Sequence, residues 1–266
     1  MTGMEQPRSF AGRLVDSKLF MPVAAIVSII VAWEVGCRVF SVPAFLLPAP
    51  SGVVVGFQDV TVSRWGEHVW ATLRVALMGY FFAIAVSIPV AVMLARSELL
   101  SRTLYPLLVV IQSTPVVAVA PIIIVVLGAG DTPRVVITFL ITFFPIVVST
   151  TTGMMATPPE LIELSRSLRA SAVREITQVR LPFAVPYIFS ALKISITLAV
   201  IGAVVAEFVA AEKGIGYFIQ FSTSFFKVPQ AFAGLFVLAA LSITLFQLVN
   251  LVQRLFFAWS LPRDGR

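Results

Sequence analysis

The sequence has few charged residues: Asp, Glu, Lys and Arg together make up only 12% of its 266 positions. Soluble domains carry about 25%, so an ordinary globular domain is excluded. Disorder is excluded as well, because 59% of the residues are apolar and 22 of them are Phe, the opposite of a weakly hydrophobic chain. The class that remains is a polytopic membrane protein.

Cysteine and histidine are equally scarce, with one of each. Cys37 cannot form an intrachain disulfide, and a single histidine leaves no His/Cys cluster for a zinc site. We expect His68 outside the membrane, in a surface or interfacial role.

The spans contain no paired Asp, Ser–His or His–Glu set, which argues against an intramembrane enzyme. No Gly-x-x-x-x-Gly-Lys-Ser/Thr motif occurs either, so the sequence carries no Walker A phosphate-binding loop.

Six apolar stretches are long enough to cross a bilayer, which takes roughly 20 residues of helix. They cover residues 20–40, 70–95, 104–127, 135–155, 183–206 and 231–257. The third is the clearest, because no charged residue lies between Arg102 and Asp131. Its Pro115 and Pro121 are tolerated where neighbouring helices satisfy the freed backbone groups. We therefore expect an all-α polytopic membrane protein whose 266 residues form one transmembrane domain.

Lys and Arg are unevenly divided between alternate loops. With the N-terminus inside, the cytoplasmic side holds twelve of them: Arg8, Arg13, Lys18, Arg96, Arg102, Arg166, Arg169, Arg174, Arg180, Arg254, Arg263 and Arg266. The opposite side holds six: Arg38, Arg64, Arg74, Arg134, Lys213 and Lys227. This bias predicts that both termini are cytoplasmic. The net charge of +6 then follows from topology and does not indicate a nucleic-acid partner.

Two connections are long. Residues 41–67 are expected to form an extracytoplasmic loop with a turn at the Pro-Ala-Pro-Ser-Gly of residues 48–52. Residues 157–182 form the largest cytoplasmic connection. There, Thr157 is expected to cap a helix with Pro158 in its first position and Glu160 completing a capping box.

The helix in this cytoplasmic connection is amphipathic. Leu161, Leu164 and Leu168 recur with helical spacing and form one apolar stripe, and Ser171 can cap a second short helix. Two interpretations stay open from periodicity alone. The helix lies on lipid headgroups, or it docks in a groove of a cytoplasmic protein.

Residues 163–171 and 179–182 resemble the signature loop of ABC-importer permeases. That signature is Glu-Ala-Ala, three residues, Gly, nine residues, and then an aliphatic residue, any residue, Leu and Pro. Here Glu163-Leu-Ser and Val179-Arg-Leu-Pro have the right spacing. Arg169 stands where the family has Gly, so the turn between the two helices is expected to differ if it needs a positive φ.

Other segments are similar to the same family: LLPAPS at 46–51, QSTP at 112–115, AP at 120–121, FFPI at 143–146, IGAVVAEF at 201–208 and GIGY at 214–217. Together they point to the nitrate, sulfonate and taurine branch, which includes permeases for pyrimidine precursors, bicarbonate and aromatic acids. The resemblance implies a type I importer fold in the bacterial inner membrane.

The resemblance also implies partners. Two permease copies would line the path, a cytoplasmic ABC ATPase dimer would bind ATP and Mg, and an extracytoplasmic solute-binding protein would deliver the solute. This chain itself would hold no cofactor or metal. The residues expected to contact the ATPase are Glu160, Leu161, Glu163, Leu164, Arg166, Ser167, Leu168, Arg169, Ala170 and Ser171.

Five polar residues within the spans are candidates for the translocation path: Ser113, Thr114, Ser149, Lys193 and Glu207. Each has an ordinary alternative. The hydroxyls can join helices by hydrogen bonds, Lys193 can snorkel or pair with another helix, and Glu207 can lie at the membrane interface. A pair with Arg38 one turn away would explain Glu34.

An ion-gradient-driven secondary transporter is the alternative function. Such proteins usually carry intramembrane charges and broken helices in symmetry-related halves. This chain has few such charges and no evident repeat, so the importer permease is preferred.

Overall fold

The computed structural model describes residues 20–261, and every regular element in that range is helical, as the sequence predicts. The helices are α1 (Phe20–Val39), α2 (Pro50–Gln58), α3 (Val62–Arg96), α4 (Glu98–Gln112), α5 (Val116–Leu127), α6 (Asp131–Met155), α7 (Pro159–Ser167), α8 (Ala172–Glu175), α9 (Leu181–Ala210), α10 (Ile215–Ser224) and α11 (Val228–Phe256). A π-helical turn, Ile176–Arg180, joins α8 to α9, and a 3₁₀ turn, Ala258–Ser260, follows α11. Five residues of the charge count, Arg8, Arg13, Lys18, Arg263 and Arg266, lie outside the described range.

Five spans follow the hydropathy closely. Within residues 20–261, α1, α3, α6, α11 and the helical stretch Ala172–Ala210 are each long and apolar enough to cross a membrane. The third predicted span, 104–127, is wrong as a single helix, because the chain bends by 92° between α4 and α5. Pro115 causes the break: it has no N–H to continue α4 and becomes the N-cap of α5.

The predicted turn at residues 48–52 is also wrong. Ala49 is the N-cap of α2, and Pro50 and Ser51 are its first two residues. Proline favours the first helical position, because its φ is already helical and its missing N–H would have no partner there. The proline-rich stretch therefore starts a helix inside the predicted loop.

The chain divides into two compact units, and the smaller one comprises residues 20–60 and 222–233 of the described range. Its α1 is apolar from Phe20 to Trp33 apart from Ser28, and Cys37 is its one buried residue. The predicted pair of Glu34 and Arg38 is confirmed at 2.6 Å. Glu34 also accepts the Ser51 backbone N–H at 2.9 Å, so its charge lies at the N-terminus of α2, where the helix dipole stabilises an anion.

The larger unit comprises residues 61–221 and 234–261, and α3, α6 and α9 form its core. Gly79 of α3 and Gly202 of α9 both face Thr138 of α6, and a Cβ on Gly202 would come within 3.0 Å of the Thr138 Cα. Small residues let membrane helices approach closely in this way. The Thr138 hydroxyl donates to the Arg134 carbonyl at 2.9 Å, so it remains satisfied inside the core.

Candidate functional site

Residues 157–182, here called the coupling loop, connect α6 to α9 and contain α7 and α8. Helix α7 starts one residue later than predicted, with Pro158 as its N-cap and Pro159 in the first helical position. Thr157 is buried, and its hydroxyl has no hydrogen-bond partner among the described residues. The predicted capping box is therefore wrong, because the second proline takes the position that the first was expected to fill.

The leucines of α7 share one face, as the spacing predicts. They stay open to their surroundings: Leu161 is 44%, Leu164 55% and Leu168 74% exposed. Together with Phe183 and Trp259 they line a cleft of about 550 Å³. The coupling loop thus presents a concave apolar surface that its own chain does not fill.

Helix α7 ends in a Schellman motif around Arg169. The Ala170 N–H bonds to the Ser165 carbonyl at 3.0 Å, and the Arg169 N–H bonds to the Arg166 carbonyl at 2.9 Å. This pattern of hydrogen bonds requires a left-handed backbone at the residue just before Ala170. That residue is Arg169, and its φ is 55°. The turn therefore keeps the geometry that suits glycine although an arginine occupies it.

The rest of the coupling loop is held by Ser171 and Glu175. The Ser171 hydroxyl accepts the Arg174 N–H at 3.3 Å, which confirms the predicted cap of α8. Glu175 accepts from Arg166 at 3.1 Å and from Arg180 at 2.8 Å. These bonds join α7 to the residue that precedes α9. The sequence analysis missed Glu175, although it is the only acidic residue between Glu163 and Glu207.

The five path candidates do not come together at one site. Ser113 and Thr114 are exposed at the bend between α4 and α5, and Ser149 and Lys193 are half-buried on α6 and α9. Glu207 is 1% exposed, so its carboxylate is buried among helices rather than open on the surface of the unit. Of the residues bonded to it, Thr72 was not selected in the sequence analysis, and Gly216 lies in the GIGY segment.

Three side chains accept hydrogen bonds from the backbone N–H groups at the start of α10. The Gly216 N–H donates to Glu207 at 2.7 Å, the Ile215 N–H to the Thr72 hydroxyl at 2.8 Å, and the Gly214 N–H to Nδ1 of His68 at 3.2 Å. His68 is 5% exposed, so its predicted surface position is wrong. Burial is possible because the imidazole and the carboxylate replace the partners that the first N–H groups of a helix lack.

Charged residues line a second cavity, of about 590 Å³, at the opposite ends of α3 and α9 from the coupling loop. Arg74 of α3 forms an ion pair with Asp131 of α6, and Lys213, in the loop before α10, pairs with Glu67. The hydrogen bond from Lys213 to Glu67 raises the pKa of the lysine amino group above its ordinary value. The Lys213 amino group therefore stays protonated. The two ion pairs connect the chain segments at this end to the core helices.

Sequence comparison places the chain among transport proteins. The family described as "Binding-protein-dependent transport system inner membrane component" matches residues 87–259. The riboflavin transport system permease protein of Chloroflexus aurantiacus is 36% identical over 91% of this chain and 90% of its own length. The formylaminopyrimidine transport permease protein of Halalkalibacterium halodurans is 32% identical over 90% and 95%. The taurine transport system permease protein of Escherichia coli is 28% identical over 85% and 84%.

Solved structures share the fold. A chain of the methionine ABC transporter MetNI in an inward-facing conformation superposes with a TM-score of 0.61 at 23% identity, covering 70% of this chain and 93% of the other. A chain of an amino acid ABC transporter gives 0.56 at 18% identity, covering 70% and 91%. These likenesses show the fold, and the matching family and its permease relatives favour the importer permease over the secondary transporter. The chain therefore belongs to the binding-protein-dependent transport system inner membrane component family, as a multi-pass permease subunit of an ABC importer in the bacterial inner membrane, whose ATPase and solute-binding protein are separate subunits.

Proposed function

We propose that this permease receives the movement of its ATPase through the coupling loop and, with a second copy of itself, forms the path for a small organic solute. The observation that carries the proposal is the cleft beside α7. Its three leucines are 44–74% exposed, and they line a concave surface with Phe183 and Trp259. A concave apolar pocket suits an inserted side chain of a protein partner, whereas a helix lying on lipid needs only a flat apolar face.

The polar side of α7 supports docking on a partner. Glu160 and Glu163 are exposed and free to meet basic groups of the ATPase. Arg166 is already paired with Glu175, and the Ser167 hydroxyl donates to the Leu164 carbonyl at 2.9 Å. We assign these two residues, with Arg169, Ala170 and Ser171, mainly to holding the shape of the loop.

The coupling loop lies on the cytoplasmic side in this proposal, and the partner ATPase binds ATP and Mg. The division of Lys and Arg between loops supports that orientation, and the missing P-loop supports the division of labour. Reporters fused after Gly52 and after Arg169 test the orientation. The first should report an extracytoplasmic position and the second a cytoplasmic one, and the reverse pattern would refute this topology.

A stripe along α9 supports the second copy. Tyr187, Ile194, Ile201 and Phe208 recur every seven residues and are each 40–55% exposed, although α9 otherwise packs in the core of its unit. A seven-residue apolar repeat is the seam along which two helices pack. A two-fold axis beside α9 would cover both stripes at once.

We propose a nitrogen heterocycle of the pyrimidine or flavin kind as the solute. Two relatives that are more than 30% identical are named for riboflavin and formylaminopyrimidine transport, while the relative named for taurine transport is 28% identical. Calorimetry on the partner solute-binding protein, with riboflavin, a formylaminopyrimidine and taurine as ligands, tests this. Tight binding of taurine alone would overturn it.

Leu164→Asp tests the docking proposal in the assembled transporter. The change puts a charge into the cleft, and we expect the ATPase to be lost on purification and solute-driven ATP hydrolysis to fall at least tenfold. Val173→Asp is the matched control, because Val173 is 65% exposed on α8 and does not line the cleft. Normal ATPase binding by the Leu164→Asp variant, or equal loss in both variants, would refute docking through this cleft.

A further inference from the structure

A third cavity, of about 460 Å³, is lined by arginines from four different elements. Arg96 ends α3, Arg102 lies on α4, Arg166 on α7, and Arg180 in the π-helical turn before α9. This site, here called the arginine pocket, lies wholly within the larger unit. It shares no lining residue with the cleft beside α7, so the proposed docking of the ATPase does not explain it.

The arginine pocket carries an excess of positive charge. Glu98 is the one acidic residue of its lining, and it pairs with Arg102 on the same helix at 2.6 Å. Glu175, just outside, is shared by Arg166 and Arg180. Two carboxylates thus face four guanidinium groups, and Arg96 has no ion pair within residues 20–261. This excess of guanidinium groups over carboxylates favours the binding of an anion.

The position of the arginine pocket matches the level of lipid headgroups. Helix α3 ends at Arg96 and α9 begins directly after Arg180, so the pocket lies where two spans leave the apolar part of the membrane. Its apolar lining residues are Leu94, Ala95 and Met155, and Leu94 is 2% exposed. A bound phospholipid needs both kinds of group. Charged side chains bind its headgroup, and neighbouring apolar side chains contact the start of its acyl chains.

The neighbouring helix α4 offers a surface for the acyl chains. None of its residues is buried, and Leu99, Leu107 and Val110 are 55–73% exposed on one side. This face begins at the arginine pocket, since α4 starts at Glu98. An acidic protein segment would have no use for such an apolar extension, which favours a lipid as the occupant.

We propose that the arginine pocket binds the phosphate of an anionic phospholipid. Guanidinium groups form paired hydrogen bonds with phosphate oxygens, and basic pockets between spans bind anionic headgroups. Arg166 and Arg180 would contact the same phosphate from α7 and from the start of α9. The bound lipid would therefore brace the coupling loop against the ends of the spans, and its absence would loosen that contact.

Arg96→Gln tests the proposal on the complete transporter purified from bilayers that contain phosphatidylglycerol. Arg96 has no ion pair to lose within residues 20–261, so the variant should fold. Arg64→Gln is the matched control, since Arg64 is exposed at the other end of the same helix. We expect Arg96→Gln to retain about fivefold less phosphatidylglycerol, measured by native mass spectrometry, because one basic residue near an anionic surface contributes about that factor. Arg64→Gln should retain as much as the wild type.

Three outcomes would overturn the proposal. Equal lipid loss in Arg64→Gln and Arg96→Gln would mean unspecific attraction. Displacement of phosphatidylglycerol by inorganic phosphate at millimolar concentration would mean a site for a free anion. Loss of the ATPase from Arg96→Gln with unchanged lipid content would mean that an acidic segment of the ATPase occupies the pocket.

Discussion

The Thr72 hydroxyl of α3 donates to the Glu207 carboxylate of α9 at 2.8 Å, and both groups are buried. The same two side chains accept the N–H groups of Ile215 and Gly216 at the start of α10. One carboxylate thus joins two core helices and caps a third. A carboxylate at a helix N-terminus also gains from the helix dipole, which explains why an acid is tolerated at this depth.

Replacing Glu207 should therefore destabilise the protein rather than only alter the translocation path. Glu207→Ala leaves the Thr72 hydroxyl and the Gly216 N–H without an acceptor, at a cost of about 1–3 kcal/mol for each buried group. Glu207→Gln keeps one acceptor oxygen and should lose less. Thermal unfolding in detergent measures both. An unchanged melting temperature in Glu207→Ala, with altered uptake, would assign Glu207 to the path instead.

Gly214 should tolerate no side chain. Its φ is +124°, which is strained for any other residue, and a Cβ would overlap the Glu207 carboxylate. We expect Gly214→Ala to lower the yield and melting temperature of the folded permease sharply. Gly36→Ala is the control, because that helical glycine has no atom near its added Cβ and should gain about 0.5–1 kcal/mol. Equal behaviour of the two variants would contradict the packing around Glu207.

The spans and the coupling loop were predictable from the sequence, because both depend on local patterns. Runs of apolar residues mark α3, α6 and α9, and the leucine spacing marks α7. Glu207 lies only nine residues from Gly216, but the contributions of Thr72 and His68 to the same cap were not predictable, since both are 135 or more positions away in sequence from the groups they contact. The break before α5 was missed for another reason: proline can kink a membrane helix or end it, and only packing decides which.

Arg169 should be replaceable by glycine but not by valine. A non-glycine residue in the left-handed region costs about 1–2 kcal/mol, and Arg169→Gly removes that strain while adding some entropy to the unfolded chain. We expect unchanged or slightly raised stability and normal ATPase coupling. Arg169→Val should lower both, because a branched side chain disfavours positive φ most strongly.

Arg169→Asn is the control for the valine variant, since asparagine tolerates a positive φ far better than a branched residue. It removes the same charge from the same position with little backbone strain. If Arg169→Asn and Arg169→Val reduce coupling equally, the charge matters and the left-handed turn does not.

The proposed dimer makes a prediction about the stripe on α9. In a Cys37→Ser background the chain has no other cysteine, so Ile201→Cys introduces a single thiol on the stripe. Two such thiols facing a two-fold axis come close enough for a disulfide, which needs Cα atoms less than about 7 Å apart. We expect a mild oxidant to convert this variant to a covalent homodimer in membranes, with Ile194→Cys behaving similarly one repeat away.

Ile29→Cys on α1 is the matched control, because Ile29 is 68% exposed but lies off the stripe. It should stay monomeric under the same oxidant, since exposure to lipid alone brings no second thiol near. Crosslinking of Ile29→Cys together with failure of both α9 variants would place the axis elsewhere. Crosslinking of Ile201→Cys only to a different permease chain would replace the homodimer by a heterodimer, because the two halves of the path would then come from unlike subunits.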